Sequence, residues 1–244
     1  MDTVIIIPAR YESSRFPGKP LHNIAGKTLI RRVWEKCAKA VDERNVYVAT
    51  DNVKIQEHCH NNGIRTIMTS SRFLTGSDRV ACAYGKIKTR YDIVINVQGD
   101  EPLISPSDIT KIICAFNYND GYDVFCGMCN GGINEWNNKN VIKIAVDGYD
   151  NLLYASRSKI PMSKNGEFNG CMKQVCIYGF TPRMLEKIFG ANRKTPLEGI
   201  EDIEILRVIE RGYDVKMVKV SDGSVGVDTI DDANYVEKLI QGEL

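Results

Sequence analysis

The chain of 244 residues contains no apolar run of the roughly 18 to 20 residues that a membrane-spanning helix needs. It has almost no net charge, +1 from 32 lysines and arginines against 31 aspartates and glutamates. That balance leaves no electrostatic footprint for duplex nucleic acid or for an anionic membrane surface. No repeat, low-complexity tract, coiled-coil seam or Pro/Gly/Ser-rich linker divides the sequence, so a single domain over residues 1–244 is expected. The 8 cysteines lie far apart, unlike those of a small disulfide scaffold, and read as reduced thiols. The opening Met1-Asp2-Thr3-Val4 lacks the basic segment and longer apolar stretch of a secretory signal. A cytoplasmic protein is the expectation. The close pair Cys126 and Cys129 would need further ligands, such as His58, Cys59 and His60, to make a zinc knuckle. Small apolar residues packed at a strand end are the simpler account of that pair.

What is present is an ordinary globular balance, 43% hydrophobic and 26% charged. Short apolar runs at Val4 to Ile7, Val46 to Ala49, Ile64 to Met68 and Ile93 to Val97 predict strands, the first buried on both faces, the second again buried and the fourth strongly apolar. Between them, Leu29, Ile30, Val33, Trp34 and Cys37 recur at helical spacing, and Val53 to Asn61 and Arg79 to Ile87 also read as helices. Alternating strand and helix implies an α/β fold with a mostly parallel sheet and helices on both faces. Further strands are expected at Val124 to Met128, Val141 to Val146, Val175 to Phe180 and Val215 to Val220. Helices are expected at Pro182 to Phe189, Glu201 to Arg211 and Asp231 to Ile240. Ligands of such sheets collect at the carboxyl ends of the strands.

Three clusters fall there. The first strand runs into Pro8-Ala9-Arg10-Tyr11-Glu12-Ser13-Ser14-Arg15-Phe16-Pro17-Gly18-Lys19-Pro20, in which Arg10, Arg15 and Lys19 can offset a triphosphate while backbone N–H groups surround its oxygens. The glycine spacing matches neither the dinucleotide fingerprint nor the Walker loop. Asn96-Val97-Gln98-Gly99-Asp100-Glu101-Pro102 places a carboxylate, Asp100, where magnesium could be held with phosphate oxygens and water. A turn with a capping aspartate would look the same. Gly226-Val227-Asp228-Thr229 reads as a helix N-cap or, opposite Asp100, as a second metal ligand.

These segments resemble the 3-deoxy-manno-octulosonate (KDO) cytidylyltransferases, the CMP-KDO synthetases. The likeness is carried by IIIPARYESSRFPGKPL, VATD at Val48 to Asp51, NVQGDEPLI at Asn96 to Ile104 and Thr75-Gly76-Ser77-Asp78-Arg79. It continues through Tyr154-Ala155-Ser156-Arg157, Ile160-Pro161, Ile177-Tyr178-Gly179, PLEGIEDIEILR from Pro196 and GVDT from Gly226, spanning the chain in order. The resemblance implies a nucleotide-diphospho-sugar transferase fold, usually a homodimer, that joins CMP from CTP to an acidic keto-sugar of lipopolysaccharide or capsule. It implies that Arg10 and Lys19, with Arg15 and Ala9 of the same loop, hold the CTP phosphates. Asp100 and Asp228 would hold Mg2+, while Thr75, Gly76, Ser77 and Arg79 line the cytidine pocket with Gln98 nearby. Arg157, Lys173, Gln174, Tyr178, Glu204 and Ile205 fall where the acceptor would lie. Two of these depart from the family pattern, which usually has histidine at position 174 and glutamine at position 205. The alternatives are a cytidylyltransferase for another acidic acceptor, such as an amino-octulosonate or a sialic-type sugar, and a nucleotide-binding module without catalysis.

Overall fold

All seven residues of β1 (Thr3–Ala9) are buried, as a strand covered on both faces requires. In the computed structural model, which describes residues 1–12, 15–119 and 121–243, β1 is followed by the short pair β2 (Asn23–Ile24) and β3 (Lys27–Thr28). Next come α1 (Leu29–Cys37), β4 (Val46–Thr50), α2 (Val53–Asn61), β5 (Arg65–Met68), α3 (Gly76–Tyr84) and β6 (Ile93–Val97). The second half adds α4 (Pro106–Tyr118), β7 (Val124–Gly131), α5 (Ile133–Asn137), β8 (Lys143–Val146), β9 (Leu152–Ser156) and β10 (Cys171–Phe180). It closes with α6 (Pro182–Phe189), α7 (Pro196–Glu201), α8 (Leu206–Glu210), β11 (Lys216–Lys219) and α9 (Ile230–Gln241).

The sheet runs β11-β7-β10-β6-β1-β4-β5, with β8 beside β10 and β9 beside β8. Along that path β10 alone opposes its neighbours, pairing antiparallel with both β6 and β7, so the sheet is mostly parallel as expected. Alternation along β1 divides the core. Ile5 and Ile7 face a layer with Val33, Ile55, Ile109 and Ile112 of α1, α2 and α4. Val4 and Ile6 face Val80, Leu185 and Leu206 of α3, α6 and α8. Burying each such side chain stabilises the fold by ~1.5–3 kcal/mol. A smaller cluster of Ile24, Leu29, Val227, Ala233 and Val236 fastens α9 and the segment before it against β2 and α1. That packing sets the position of Asp228.

The structure departs from the sequence reading in particular places. The helix expected over Glu201 to Arg211 is two helices, because Asp202 ends α7 in the left-handed region (φ 53°). The strand expected from Val141 begins at Lys143, whose ammonium gathers the carbonyls of Asn138 (2.8 Å), Val141 (2.7 Å) and Arg157 (2.6 Å) into a tight turn. Helix α3 starts three residues before Arg79, with the Thr75 hydroxyl accepting from the Asp78 N–H at its N-cap. Cys126 and Cys129 both lie on β7, where an odd separation sends side chains to opposite faces. Accordingly they pack in different apolar layers. Among the described residues no helix is long and apolar enough to cross a membrane.

Candidate active site

The loop after β1 is closed by Gly18, whose φ of 71° lies in the left-handed region and whose N–H donates to the Tyr11 carbonyl at 2.9 Å. Ser13 and Ser14 of this loop lie outside the described residues. Ala9 ends β1 almost fully buried, and Arg10 projects outward from it. Among the described residues Arg10 makes no side-chain hydrogen bond or ion pair within 4 Å; it is exposed, and its charge helps to hold the Asp202 carboxyl down. Glycine at position 99 brings the neighbouring strand end close: a Cβ there would stand 2.7 Å from the Pro8 carbonyl oxygen.

That close approach sets Asp100 against Lys19. The Lys19 Nζ donates to Asp100 Oδ2 at 2.9 Å, to Asp228 Oδ1 at 3.3 Å and to the Val227 carbonyl at 2.6 Å. Arg15 meets the other oxygen of Asp228 at 3.1 Å. The backbone completes the junction, the Val227 N–H donating to the Asp100 carbonyl at 2.8 Å. Asp100 and Asp228, 128 positions apart in the sequence, therefore converge on a single ammonium. Two hard carboxylate oxygens gathered at one cation are a donor set that suits a divalent ion completed by anionic oxygens and water. Among the described residues no third histidine, cysteine or carboxylate joins them as a ligand group.

Glu101 is the neighbour that sequence reasoning left without a role. It is 9% exposed, accepts a hydrogen bond from the Ser224 hydroxyl, and is pushed up to about 7 by burial and by the charge of Asp100. Its place beside Asp100 in the quoted motif was the available signal.

The residues expected to line a cytidine pocket gather around the start of α3. Glu204 accepts from the Gly76 N–H at 2.8 Å and the Ser77 N–H at 2.9 Å, meeting two of the helix's unsatisfied donors. Burial raises its carboxyl, against the pull of those bonds. Gln98 packs over Gly76, where a Cβ would come within 2.9 Å of its amide. Asn96 donates to the Ser77 hydroxyl at 3.0 Å. Arg79 does not face a cleft: it is 3% exposed, and its guanidinium donates to Thr69 at 2.6 Å and Asp51 at 2.7 Å. The Asp51 carboxylate accepts in turn from the Tyr11 N–H at 3.5 Å, so Arg79 braces the cationic loop from behind. Further in, Arg207 joins Asp78 of α3 to Glu198 of α7, all three side chains fully buried.

The residues placed on the acceptor side separate. Arg157 turns to the main chain, its guanidinium donating to the carbonyls of Glu201 (2.7 Å) and Asp202 (3.1 Å), with Lys139 and Asn140 more distant. Lys173 pairs with Glu135 at 3.0 Å, a bond that outweighs burial and raises the ammonium. Ile205 is 1% exposed in the apolar layer that also holds Cys126 and Tyr178. Gln174 lies against those last two, its Nε2 donating to Cys126 Sγ at 3.3 Å and Tyr178 Oη at 3.2 Å.

A mostly parallel α/β sheet with a cationic loop and paired carboxylates at its carboxyl ends has the layout of the nucleotide-diphospho-sugar transferases. The chain belongs to the cytidylyltransferase family, whose model matches residues 4–218. It is 38% identical over 239 residues to a mitochondrial 3-deoxy-manno-octulosonate cytidylyltransferase of Arabidopsis thaliana, covering 97% of this chain and 82% of that one. It is 34% identical over 243 residues to an 8-amino-3,8-dideoxy-manno-octulosonate cytidylyltransferase of Shewanella baltica, covering 98% and 99%. The solved structure of CMP:2-keto-3-deoxy-manno-octonic acid synthetase complexed with CTP matches with a TM-score of 0.88 at 32% identity, over 100% of both chains. These findings agree with the resemblance read from the motifs.

Proposed function

We propose that this enzyme transfers the cytidylyl group of CTP to the C2 hydroxyl of an eight-carbon acidic keto-sugar, KDO or its 8-amino relative, and releases pyrophosphate. The observation that carries this reading is the convergence of Asp100 and Asp228 on one cation, Lys19, of the loop that also carries Arg10 and Arg15. The sugar oxygen attacks the α-phosphorus in line. One P–O bond forms, the bond to the β-phosphate oxygen breaks, and the hydroxyl proton is lost. Positioning and charge neutralisation supply most of such catalysis, so the chain needs no covalent nucleophile.

Asp100 and Asp228 would hold Mg2+, and their donor set fits it. When bound, the ion neutralises phosphate charge and lowers the pKa of the attacking hydroxyl. Lys19 and Arg15 balance these two carboxylates in the structure. With a divalent ion balancing the carboxylates instead, both cations are free to join Arg10 on the triphosphate. The α3 amino end, shaped by Glu204 and Gln98, would meet the cytidine. A homodimer is part of the proposal, resting on family likeness, and a solution mass of one chain would remove it. The direct test is pyrophosphate release with CTP, Mg2+ and a panel of keto-acid sugars. Release that depends on CTP, metal and an octulosonate is expected. Release with no acceptor of this class would defeat the reading.

A further inference from the structure

β10 carries an irregularity beside the site. Val175 pairs with Gly127 and Tyr178 with Cys126, so three steps along β10 match one step along β7. The bulge draws Gln174 and Tyr178 together on one face, with Cys176 displaced between them. The Cys176 carbonyl accepts from the Gln98 N–H at 3.4 Å, and its thiol is pushed well up by burial first and then by the charges of Glu101 and Asp100. Gln174 therefore stands two residues along β10 from Cys176, which is bonded to the backbone of Gln98 in the segment that leads to Asp100. Two residues further along a strand from Cys176 is about 7 Å, a distance within the span of a pyranose and its side chain.

Gln174 is 8% exposed, yet its Oε1 has no hydrogen-bond partner among the described residues. The amide nitrogen is the half that is partnered: Nε2 lies 3.2 Å from Tyr178 Oη and 3.3 Å from Cys126 Sγ, and the Cys126 thiol points at the carbonyls of Gly127 and Val175. Both neighbours thus act as acceptors towards Nε2, and Oε1 is left without a partner among the described residues. Native proteins retain few buried acceptors unsatisfied, and one beside reacting groups is explained by a donor that arrives with a ligand. Oε1 accepts only, and the charges acting on its neighbours Cys176 and Tyr178 include the carboxylates Asp100, Glu101 and Glu204. Lys173 projects from the opposite face of β10 and is paired with Glu135.

We infer that Gln174 Oε1 selects the acceptor, taking a hydrogen bond from a protonated amine at the far end of the keto-acid sugar in preference to a hydroxyl there. The inference rests on the cytidylyl transfer proposed above and narrows its substrate. A charged N–H donor forms roughly twice as strong a bond as a neutral one. A buried polar group that the wrong substrate leaves unpaired discriminates further.

The test compares kcat/KM by pyrophosphate release for 3-deoxy-manno-octulosonate and 8-amino-3,8-dideoxy-manno-octulosonate, with the full chain, CTP and Mg2+. The unaltered enzyme should favour the amino sugar about tenfold or more. Gln174→Met, of similar shape without the acceptor oxygen, should shrink that preference to within about threefold while leaving the KM for CTP in place. Gln174→Glu, which keeps an acceptor and adds charge, should widen it and serves if the methionine variant does not fold. Equal kcat/KM for both sugars in the unaltered enzyme, or equal losses for both in Gln174→Met, would overturn the inference alone. Turnover of neither sugar would overturn the functional reading, and this inference with it.

Discussion

Arg207→Met removes the cation that holds α3, α7 and α8 in register. The Arg207 guanidinium meets Asp78 at 2.5 and 3.1 Å and Glu198 at 2.6 and 2.7 Å, with every side chain 0% exposed. Burial pulls the guanidinium pKa down, and the bonds to Glu198 and Asp78 outweigh it and raise it. Methionine keeps most of the volume and the contact with the Phe189 ring, which Arg207 covers at 4.7 Å. The dominant effect is then two buried carboxylates without a counter-charge. Breaking a buried pair in this way costs ~3–5 kcal/mol. For a chain of this size each kcal/mol lowers Tm by about 2–4 °C, so a fall of about 6–20 °C is expected in thermal unfolding at pH 7. Adding Asp78→Asn and Glu198→Gln to Arg207→Met should recover much of the loss, because the uncompensated charges are then gone. A Tm within about 2 °C of the unaltered protein in Arg207→Met would refute the assignment of this triad as a buried electrostatic joint.

Asp100→Asn should lower kcat by at least about a hundredfold, since several kcal/mol of metal-borne stabilisation is lost, while the Tm moves little. Full activity in that variant removes the metal assignment. Asp108, 2% exposed, holds the segment that leads to Asp228: it accepts from the Ser221 hydroxyl, from the Ser221 N–H at 3.0 Å and from Lys111 at 3.0 Å. Burial pushes its carboxyl up, and the bonds from Ser221 and Lys111 outweigh that and leave it below its ordinary 3.8. A depressed folded value adds stability above the unfolded pKa that is lost as pH falls through the folded one. Asp108→Asn should therefore cost ~1–2 kcal/mol in urea unfolding at neutral pH, with a smaller difference near pH 3. An equal difference at both pH values would contradict the assignment.

Much of the sheet was legible because β1 and β6 carry short apolar runs, interrupted in β6 only by Asn96, of the length and composition of strands covered on both faces. Helix α4 escaped notice although Ser105-Pro106 and the buried Ile109, Ile112, Ala115 and Phe116 carry a helix start and a helical period. The break at Asp202 had no comparable signal, since its left-handed backbone occurs at a residue other than glycine. In the site, Asp100 and Asp228 could be paired from their motifs because each follows a strand or precedes a helix. The role of Arg79 was hidden. Its partners Thr69 and Asp51 lie 10 and 28 positions away, and a buried brace has the same letter as a ligand-binding cation.

The same ambiguity separates the cationic loop after β1 from the cations expected on the acceptor side. Arg10, Arg15 and Lys19 belong to one loop at a strand end, where Arg15 and Lys19 meet carboxylates and Arg10 is exposed. Arg157 and Lys143 look equally cationic in the sequence, yet they donate to carbonyls of their own chain, because the segments around 138–141 and 201–202 turn their carbonyls inward. Burial pulls the Lys143 ammonium down, the mark of a charge enclosed by main chain and withdrawn from solvent. Cations there serve the framework, and the selectivity inferred above would rest with a neutral group, Gln174, whose Oε1 has no partner among the described residues.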